Sequence, residues 1–108
     1  MEKSRLEILL QFVEKDPKDS FARYGLAMEY ARLGERDKAM ENFRKLWEFH
    51  PNYAAAYFQA GQLLARMGQK EEAGRVLADG IEAASRIGDQ HAKSEMEAAL
   101  AELSEPRP

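Results

Sequence analysis

The strongest pattern in the chain spans residues 22–43, ARYGLAMEYARLGERDKAMENF, which recur in altered form at residues 56–77 as AYFQAGQLLARMGQKEEAGRVL. A shift of 34 residues superimposes the two stretches. A repeat of that length is typical of stacked helical modules, so we interpret fold and function one repeat at a time. Five positions are identical under the shift: Ala22 and Ala56, Ala31 and Ala65, Arg32 and Arg66, Gly34 and Gly68, and Ala39 and Ala73.

The repeated unit is predicted to be a helix, a short turn and a second helix. Apolar residues recur at helical spacing through most of the chain. Asp16-Pro17 and His50-Pro51 end two of the segments, because the residue before a proline is pushed out of the helical region. The pattern predicts six helices, at about residues 4–15, 21–33, 38–49, 54–67, 70–86 and from 88–89 onward.

Local capping signals support the second of these helices. Asp19 or Ser20 is placed to accept hydrogen bonds from the free N–H groups of its first turn. Gly34 suits the left-handed turn that follows it.

The first helix matches the second half of the unit. When Pro17 is set against Pro51, Leu9 falls on Phe43. The chain is therefore predicted to be a single domain over 1–104, with half a repeat, two full repeats and a terminal helix that protects the end of the stack. The predicted parts are an N-terminal helix at 4–16, repeats at 20–53 and 54–87, a capping helix at 89–103 and a disordered tail at 105–108.

The helical spacing also predicts which side chains face the core. Each predicted core face combines large apolar side chains with small ones, as packed helices require. The predicted core residues are Ala22, Leu26, Ala27, Tyr30, Ala39, Met40, Phe43, Leu46, Trp47, Ala92, Met96, Ala99, Leu100 and Leu103.

Composition excludes several functional classes. The 108 residues include no cysteine, so disulfides, thiolate metal sites and a thiol nucleophile are absent. The net charge is −3, whereas nucleic-acid binding draws on clustered Lys and Arg, so a nucleic-acid partner is disfavoured. The start of the chain has no apolar signal region and no segment approaches a membrane span, so we expect a cytoplasmic protein without a membrane partner.

Catalysis has little support in the sequence. His50 and His91 stand about 40 residues apart, so we expect no shared metal or proton-transfer site. His50 is predicted to belong to a turn and His91 to a solvated helix face. The four-residue spacing of His91 and Glu95 would allow a hydrogen bond or weak metal binding, but ordinary surface chemistry is favoured. The glycines do not form a phosphate-binding loop. We therefore predict no enzyme activity, no cofactor and no metal.

The repeated residues resemble the tetratricopeptide repeat (TPR), a helix-turn-helix unit with small residues at its helix crossing and a proline near its end. The resemblance covers nearly the whole chain and implies a small bacterial-type single-domain member. The expected fold is all-α, a right-handed α-solenoid of antiparallel helix pairs. The matching residues are Leu26, Ala27, Tyr30, Gly34, Ala39, Phe43 and Pro51 in the first repeat, and Tyr57, Gly61, Leu64, Gly68, Ala73 and Leu77 in the second.

Three positions depart from the family pattern. Arg23 stands where an aromatic residue is usual, Ser85 where proline is usual, and Gly80 where alanine or a larger apolar residue is usual. Ser85 predicts that the fifth helix continues past the usual stop. Because each helical glycine costs about 1 kcal/mol relative to alanine, we expect Gly74 or Gly80 to allow close approach of the terminal helix.

The resemblance also implies a binding groove lined by the first helix of each pair. Tyr24 and Met28 are favoured as an exposed, adaptable apolar surface. Arg32 and Arg66 could each meet a carboxylate of the ligand or serve only as solvated surface residues. The implied groove residues are Phe21, Tyr24, Met28 and Arg32 in the first repeat and Phe58, Gln62 and Arg66 in the second, beside Ala31, Ala55 and Ala65.

The predicted function is non-enzymatic: an adaptor or scaffold that binds a peptide or helix of another protein. Some TPR domains clamp the acidic tail of heat-shock chaperones with lysines and asparagines. Tyr24 and Met28 replace such residues here, which argues against that ligand. The alternative is a self-associating structural subunit, such as a homodimer, joined through Trp47, Phe49 and Tyr53. A third possibility is an enzyme subunit that acts only with a catalytic partner.

Overall fold

The computed structural model describes residues 2–105, and this part of the chain is entirely helical outside its turns. The predicted all-α class is confirmed, with six helices and no strand among the described residues. The helices are α1 (Arg5–Lys15), α2 (Ser20–Arg32), α3 (Arg36–Phe49), α4 (Ala54–Arg66), α5 (Lys70–Ile87) and α6 (Gln90–Ser104).

Local side-chain caps begin three of the helices. The Ser4 hydroxyl accepts the N–H of Glu7 at 3.1 Å before α1. The Asp19 carboxylate accepts the N–H groups of Phe21 and Ala22 at 2.9 and 3.2 Å, which confirms the predicted cap of α2. Asp89 accepts the N–H of Ala92 at 3.0 Å before α6. Such caps satisfy N–H groups that have no partner inside the helix.

A glycine in the left-handed conformation lies in the turn between α2 and α3, and another in the turn between α4 and α5. Gly34 and Gly68 have φ angles of 80° and 79°, so the predicted turns are confirmed. The fifth helix ends at Ile87, which confirms that it continues past Ser85. The third helix begins at Arg36, two residues before its predicted start.

The chain divides into two compact units, Met1–His50 and Pro51–Pro108. In the first unit α2 packs against both α1 and α3. The predicted core side chains of this unit are buried, except that Tyr30 and Trp47 are only half-buried. The buried set is Ala22, Leu26, Ala27, Ala39, Met40, Phe43 and Leu46. The domain and repeat boundaries stay predictions.

Helix α1 differs from its neighbours because none of its side chains is buried. Leu9 is half-buried and faces α2, where a Cβ added at Gly25 would lie 3.0 Å from the Leu9 Cδ2 atom. Ile8 and Phe12 are 41% and 56% exposed. Only part of the apolar surface of α1 therefore packs against the rest of the first unit.

A buried arginine joins the elements of the first unit. Arg23 is 8% exposed, and its guanidinium donates to the Asn42 Oδ1 atom at 3.0 Å and to the Pro17 carbonyl at 2.9 Å. Asn42 in turn donates to the Lys38 carbonyl at 2.8 Å. Burial lowers the pKa of Arg23, and Glu41 partly opposes that shift. The residue that departs from the family pattern thus connects α2, α3 and the turn after α1.

In the second unit α5 packs against both α4 and α6, and α4 also contacts α6. A Cβ added at Gly80 would lie 2.5 Å from the Tyr57 Cβ atom and would also collide with the Met96 sulfur. This confirms that a glycine of α5 allows close approach of the terminal helix. At Gly74 the nearest atom would be the Leu100 Cδ1 at 3.7 Å, an ordinary contact.

The terminal helix is less deeply packed than predicted. Met96 is its one buried side chain, and the other predicted core residues of α6 are half-buried. They pack against one side of the unit and have no following helix in the described chain to cover them. Glu105 is the C-cap of α6 and donates its N–H to the Glu102 carbonyl at 3.3 Å; the tail at 105–108 stays a prediction. The rest of the predicted tail, 106–108, lies outside the described residues.

Candidate partner-binding surfaces

The predicted groove residues of the first unit form one stripe along α2. Phe21, Tyr24 and Met28 are three and four residues apart, so they lie on the same side of the helix. Phe21 is 82% exposed, whereas Tyr24 and Met28 are half-buried. The Tyr24 ring lies 6.3 Å from the Phe43 ring at an interplanar angle of 60°. The largest exposed apolar side chain of the stripe is therefore Phe21.

Arg32 at the end of the stripe is held by a neighbouring acid. Its Nε and Nη2 atoms donate to the two Glu29 carboxylate oxygens at 2.8 and 2.6 Å. The Glu29 side chain is only 5% exposed, and the Arg5 Nε atom lies 3.9 Å away. The hydrogen bond from Arg32 lowers the pKa of Glu29, and the same bond raises the pKa of Arg32. Two of the five guanidinium donors are thus engaged within α2.

The predicted residues of the second unit lie along α4. Phe58 and Gln62 are half-buried, and Arg66 is exposed. Gln62 and Arg66 line a pocket of about 510 Å³, but Phe58 does not. Ala65 lines it as well and Ala55 does not, so the structure brings together three of the five predicted residues of this repeat.

The pocket in the second unit is lined by both apolar and charged residues. Its lining includes the apolar Leu77 and Leu103, the cations Arg66 and Lys70, and the acids Glu102 and Glu105. Leu77 is itself buried and packs against Gly61, where an added Cβ would lie 2.6 Å from the Leu77 Cδ2 atom. Such a mixed lining suits a ligand with both apolar and charged groups.

Two features of these surfaces were not predicted from the sequence. Glu29 precedes Arg32 by three residues, a spacing that favours ion pairs in helices and could have revealed their pairing. The acidic residues of the pocket, Glu102 and Glu105, lie at the end of α6, which the repeat pattern predicts only as a capping helix. No periodic signal within α6 distinguishes a pocket wall from a solvated face.

The histidines are not part of either surface. The His50 ring donates to the Lys18 carbonyl at 2.5 Å, as expected for a residue of the turn. The His91 Nε2 atom lies 3.2 Å from the Glu95 carboxylate, and the His91 side chain is 87% exposed. Residues 2–105 contain no cluster of three or more His, Asp or Glu residues suited to hold a metal ion.

No helix in the described part of the chain has both the length and the apolarity needed to span a membrane.

Two family models, both described as tetratricopeptide repeat, match residues 20–63 and 54–86. A TPR domain protein from Salinibacter ruber, solved in solution, is 34% identical with a TM-score of 0.78, over 82% of this chain and 90% of that one. A TPR repeat-containing protein of Pseudomonas aeruginosa is 26% identical over 102 residues, which are 94% of this chain and 97% of the relative.

Similarity of fold extends to more distant structures. The crystal structure of PcrH in complex with the chaperone binding region of PopD has a TM-score of 0.85, at 16% identity, over 92% of this chain and 75% of that one. That likeness concerns the fold alone. From the family models and the Salinibacter relative, the chain belongs to the tetratricopeptide repeat family, whose repeats generally mediate protein interactions and are not catalytic.

Proposed function

We propose that this chain is a non-enzymatic adaptor that binds a peptide or helical segment of another protein. The observation that carries the proposal is the pocket in the second unit. Gln62 and Arg66, both expected from the family resemblance, line it beside the apolar Leu77 and Leu103. A pocket lined by apolar residues together with a few polar groups is typical of a ligand site.

The charges around the pocket indicate what the ligand carries. Arg66 is exposed and forms no ion pair with any described residue, in contrast to Arg32, which binds Glu29. We therefore assign Arg66 the role of meeting an acidic group of the ligand, with Lys70 beside it. The half-buried Leu103 would contact an apolar side chain of the same segment.

In the first unit the exposed ring of Phe21 supports a second contact. Rigid aromatic rings offer a large binding area at low entropic cost, and the half-buried Tyr24 and Met28 extend it along α2. PcrH has this fold and was solved with a region of PopD, so the fold is compatible with such a ligand. Scaffolding and a cytoplasmic location stay predictions.

Affinity capture from a lysate of the source organism tests the proposal. The chain would be compared with two variants: Gln62→Ala with Arg66→Ala in the pocket, and Tyr24→Ala with Met28→Ala on α2. We expect at least about a fivefold loss of affinity for the captured partner in one of them, as for residues at the centre of an interface.

Arg75→Ala is the matched control, because Arg75 is an exposed arginine on α5 outside the pocket. It should retain the partner, and all proteins must first show equal helical circular dichroism. Equal capture by every variant would show that the binding surface lies elsewhere.

The alternative is a self-associating structural subunit, favoured by the exposed apolar residues of α1. Phe49, one of the residues predicted for such a contact, is 42% exposed, with the Lys18 ammonium 5.7 Å from its ring centre. Trp47 and Tyr53 are half-buried, and burial raises the pKa of Tyr53. Capture of only the same chain, together with a concentration-dependent mass, would favour this alternative.

A further inference from the structure

The open side of α1 is an exposed apolar feature that the adaptor proposal does not use. An isolated helix of 11 residues is marginal in water, and α1 has no buried side chain to stabilise it. Leu9 faces α2, whereas Ile8 and Phe12 lie one turn apart on another side and are 41% and 56% exposed. We call the side formed by Ile8 and Phe12 the outer face of α1.

Basic residues stand at both ends of this outer face. Arg5 lies three residues before Ile8 and Lys15 three residues after Phe12, so both are on the same side of the helix. The Arg5 side chain is 74% exposed, and Lys15 is exposed as well. Two copies of this face placed together would bring two lysines into one contact with two arginines, each of which also lies 3.9 Å from the Glu29 carboxylate of its own copy. The charge therefore disfavours a symmetric pairing of α1 with α1 and favours an acidic occupant.

The acidic excess of the chain lies in its own last helix. From 90 to 105 there are four glutamates and one lysine. Ser94, Ala98 and Ala101 form an exposed strip of small residues on the side of α6 away from Met96. Glu95, Glu97 and Glu102 are exposed along the edges of that strip. We call this side the outer face of α6.

The two outer faces are complementary in size and in charge. Large side chains at Ile8 and Phe12 match the flat strip at Ala98 and Ala101, as knobs match holes between packed helices. Basic ends on α1 match acidic edges on α6. We propose that the outer face of α1 in one copy of the chain docks on the outer face of α6 in a second copy. This proposal develops the self-association alternative, and the residue that its faces share with the peptide-binding pocket is Glu102.

A contact of this kind is heterologous, because the two copies contribute different surfaces. Each copy keeps one unused face of each type, so association continues into chains or closes into rings. Few side chains are involved, and an interface below standard size is expected to be weak and reversible. Because the paired charges are exposed, added salt should weaken it.

Blocking one face at a time tests the proposal. Phe12→Glu would block the α1 face, and Ala98→Lys with Ala101→Lys would block the α6 face. Ala78→Lys, at an exposed alanine of α5, is the matched control. Sedimentation velocity from about 10 μM to about 1 mM would give the mass of each, after circular dichroism shows equal helicity.

The wild type and Ala78→Lys should grow beyond a dimer with concentration, and less so when salt is raised from about 20 mM to about 500 mM. Each blocked variant alone should stay monomeric. An equimolar mixture of the two should form a 1:1 dimer that grows no further, since it contains one intact face of each type. If Phe12→Glu fails to fold, Lys15→Glu replaces it and should weaken association at least about threefold.

Three results would overturn the proposal. Dimers of the α6-blocked variant alone would indicate a symmetric contact through α1. A wild type that stays monomeric at about 1 mM would show that no such contact forms. A mixture of the two blocked variants that stays monomeric would show that the faces do not fit. The pocket variant Gln62→Ala with Arg66→Ala should associate like the wild type, which separates failure here from failure of the adaptor proposal.

Discussion

Alanine substitutions at two glycines of α5 should change stability in opposite directions. At Gly80 an added Cβ would lie 2.5 Å from the Tyr57 Cβ atom and would collide with the Met96 sulfur. The end of a methionine side chain can move, but the Tyr57 Cβ is joined directly to the backbone of α4. At Gly74 the nearest atom is the Leu100 Cδ1 at 3.7 Å, which an added Cβ would meet without strain.

The magnitudes follow from two opposing contributions. Alanine in a helix interior is more favourable than glycine by about 1 kcal/mol. Overpacking a filled core costs about 1–3 kcal/mol, and a collision with a Cβ atom belongs in the upper half of that range. Gly80→Ala should therefore lower the free energy of unfolding by about 1–2 kcal/mol. Gly74→Ala should raise it by about 0.5–1 kcal/mol, since it makes only an ordinary contact.

Urea unfolding followed by helical circular dichroism would measure both changes. For small proteins the free energy of unfolding falls by about 1–3 kcal/mol per M urea, so the two midpoints should differ by roughly 0.5–3 M. The midpoints should lie on opposite sides of the wild type. A Gly80→Ala midpoint at or above that of the wild type would refute the close packing of α5 against α4 and α6.

Three further changes test the first unit. Arg23→Met should lower the free energy of unfolding by about 1–3 kcal/mol, because it leaves the buried Asn42 oxygen without its donor. Adding Asn42→Leu should recover part of that loss in the same urea assay, and no recovery would contradict the argument. The lowered pKa of Glu29 stabilises the fold above its ordinary pKa of 4.5, and this contribution is lost as pH falls through the folded value. Glu29→Gln should therefore flatten the stability profile measured from about pH 6 to about pH 3; an unchanged slope would argue against the Arg32 bond. Gly34→Ala should cost about 1–2 kcal/mol in thermal or urea unfolding, because alanine is strained at a φ of 80°.

Turns and caps could be predicted from the sequence because the chemistry that forms them is local. Asp19 caps α2 through N–H groups two and three residues away. Gly34 adopts the left-handed conformation that few other residues tolerate. Neither feature depends on where distant parts of the chain lie.

Depth of burial could be predicted only in part. Periodicity identifies the side of a helix that faces the core, but not how many neighbours cover it. Tyr30 and Trp47 have the right spacing in the first unit and are nevertheless half-buried. Met96 is buried while Leu100, one turn later, is not, because fewer side chains surround the end of α6.

The polar interior of the first unit was beyond prediction from local pattern. Arg23 and Asn42 are 19 residues apart, and each alone is typical of a solvated surface. Their pairing depends on how α2 meets α3. The pocket could likewise be predicted only in part. Gln62 and Arg66 were predicted from the family resemblance, whereas the α6 residues that line the pocket depend on the packing of α6 against α4.

The absence of buried side chains in α1 has a consequence for motion. Opening this helix exposes little additional apolar surface to water, so the free energy of local opening should be small compared with that of global unfolding. Its amide protons should exchange with solvent earlier than those of α5, which is packed on two sides. The stability of α1 should therefore depend less on its contacts within the chain than on any molecule that binds to its exposed side.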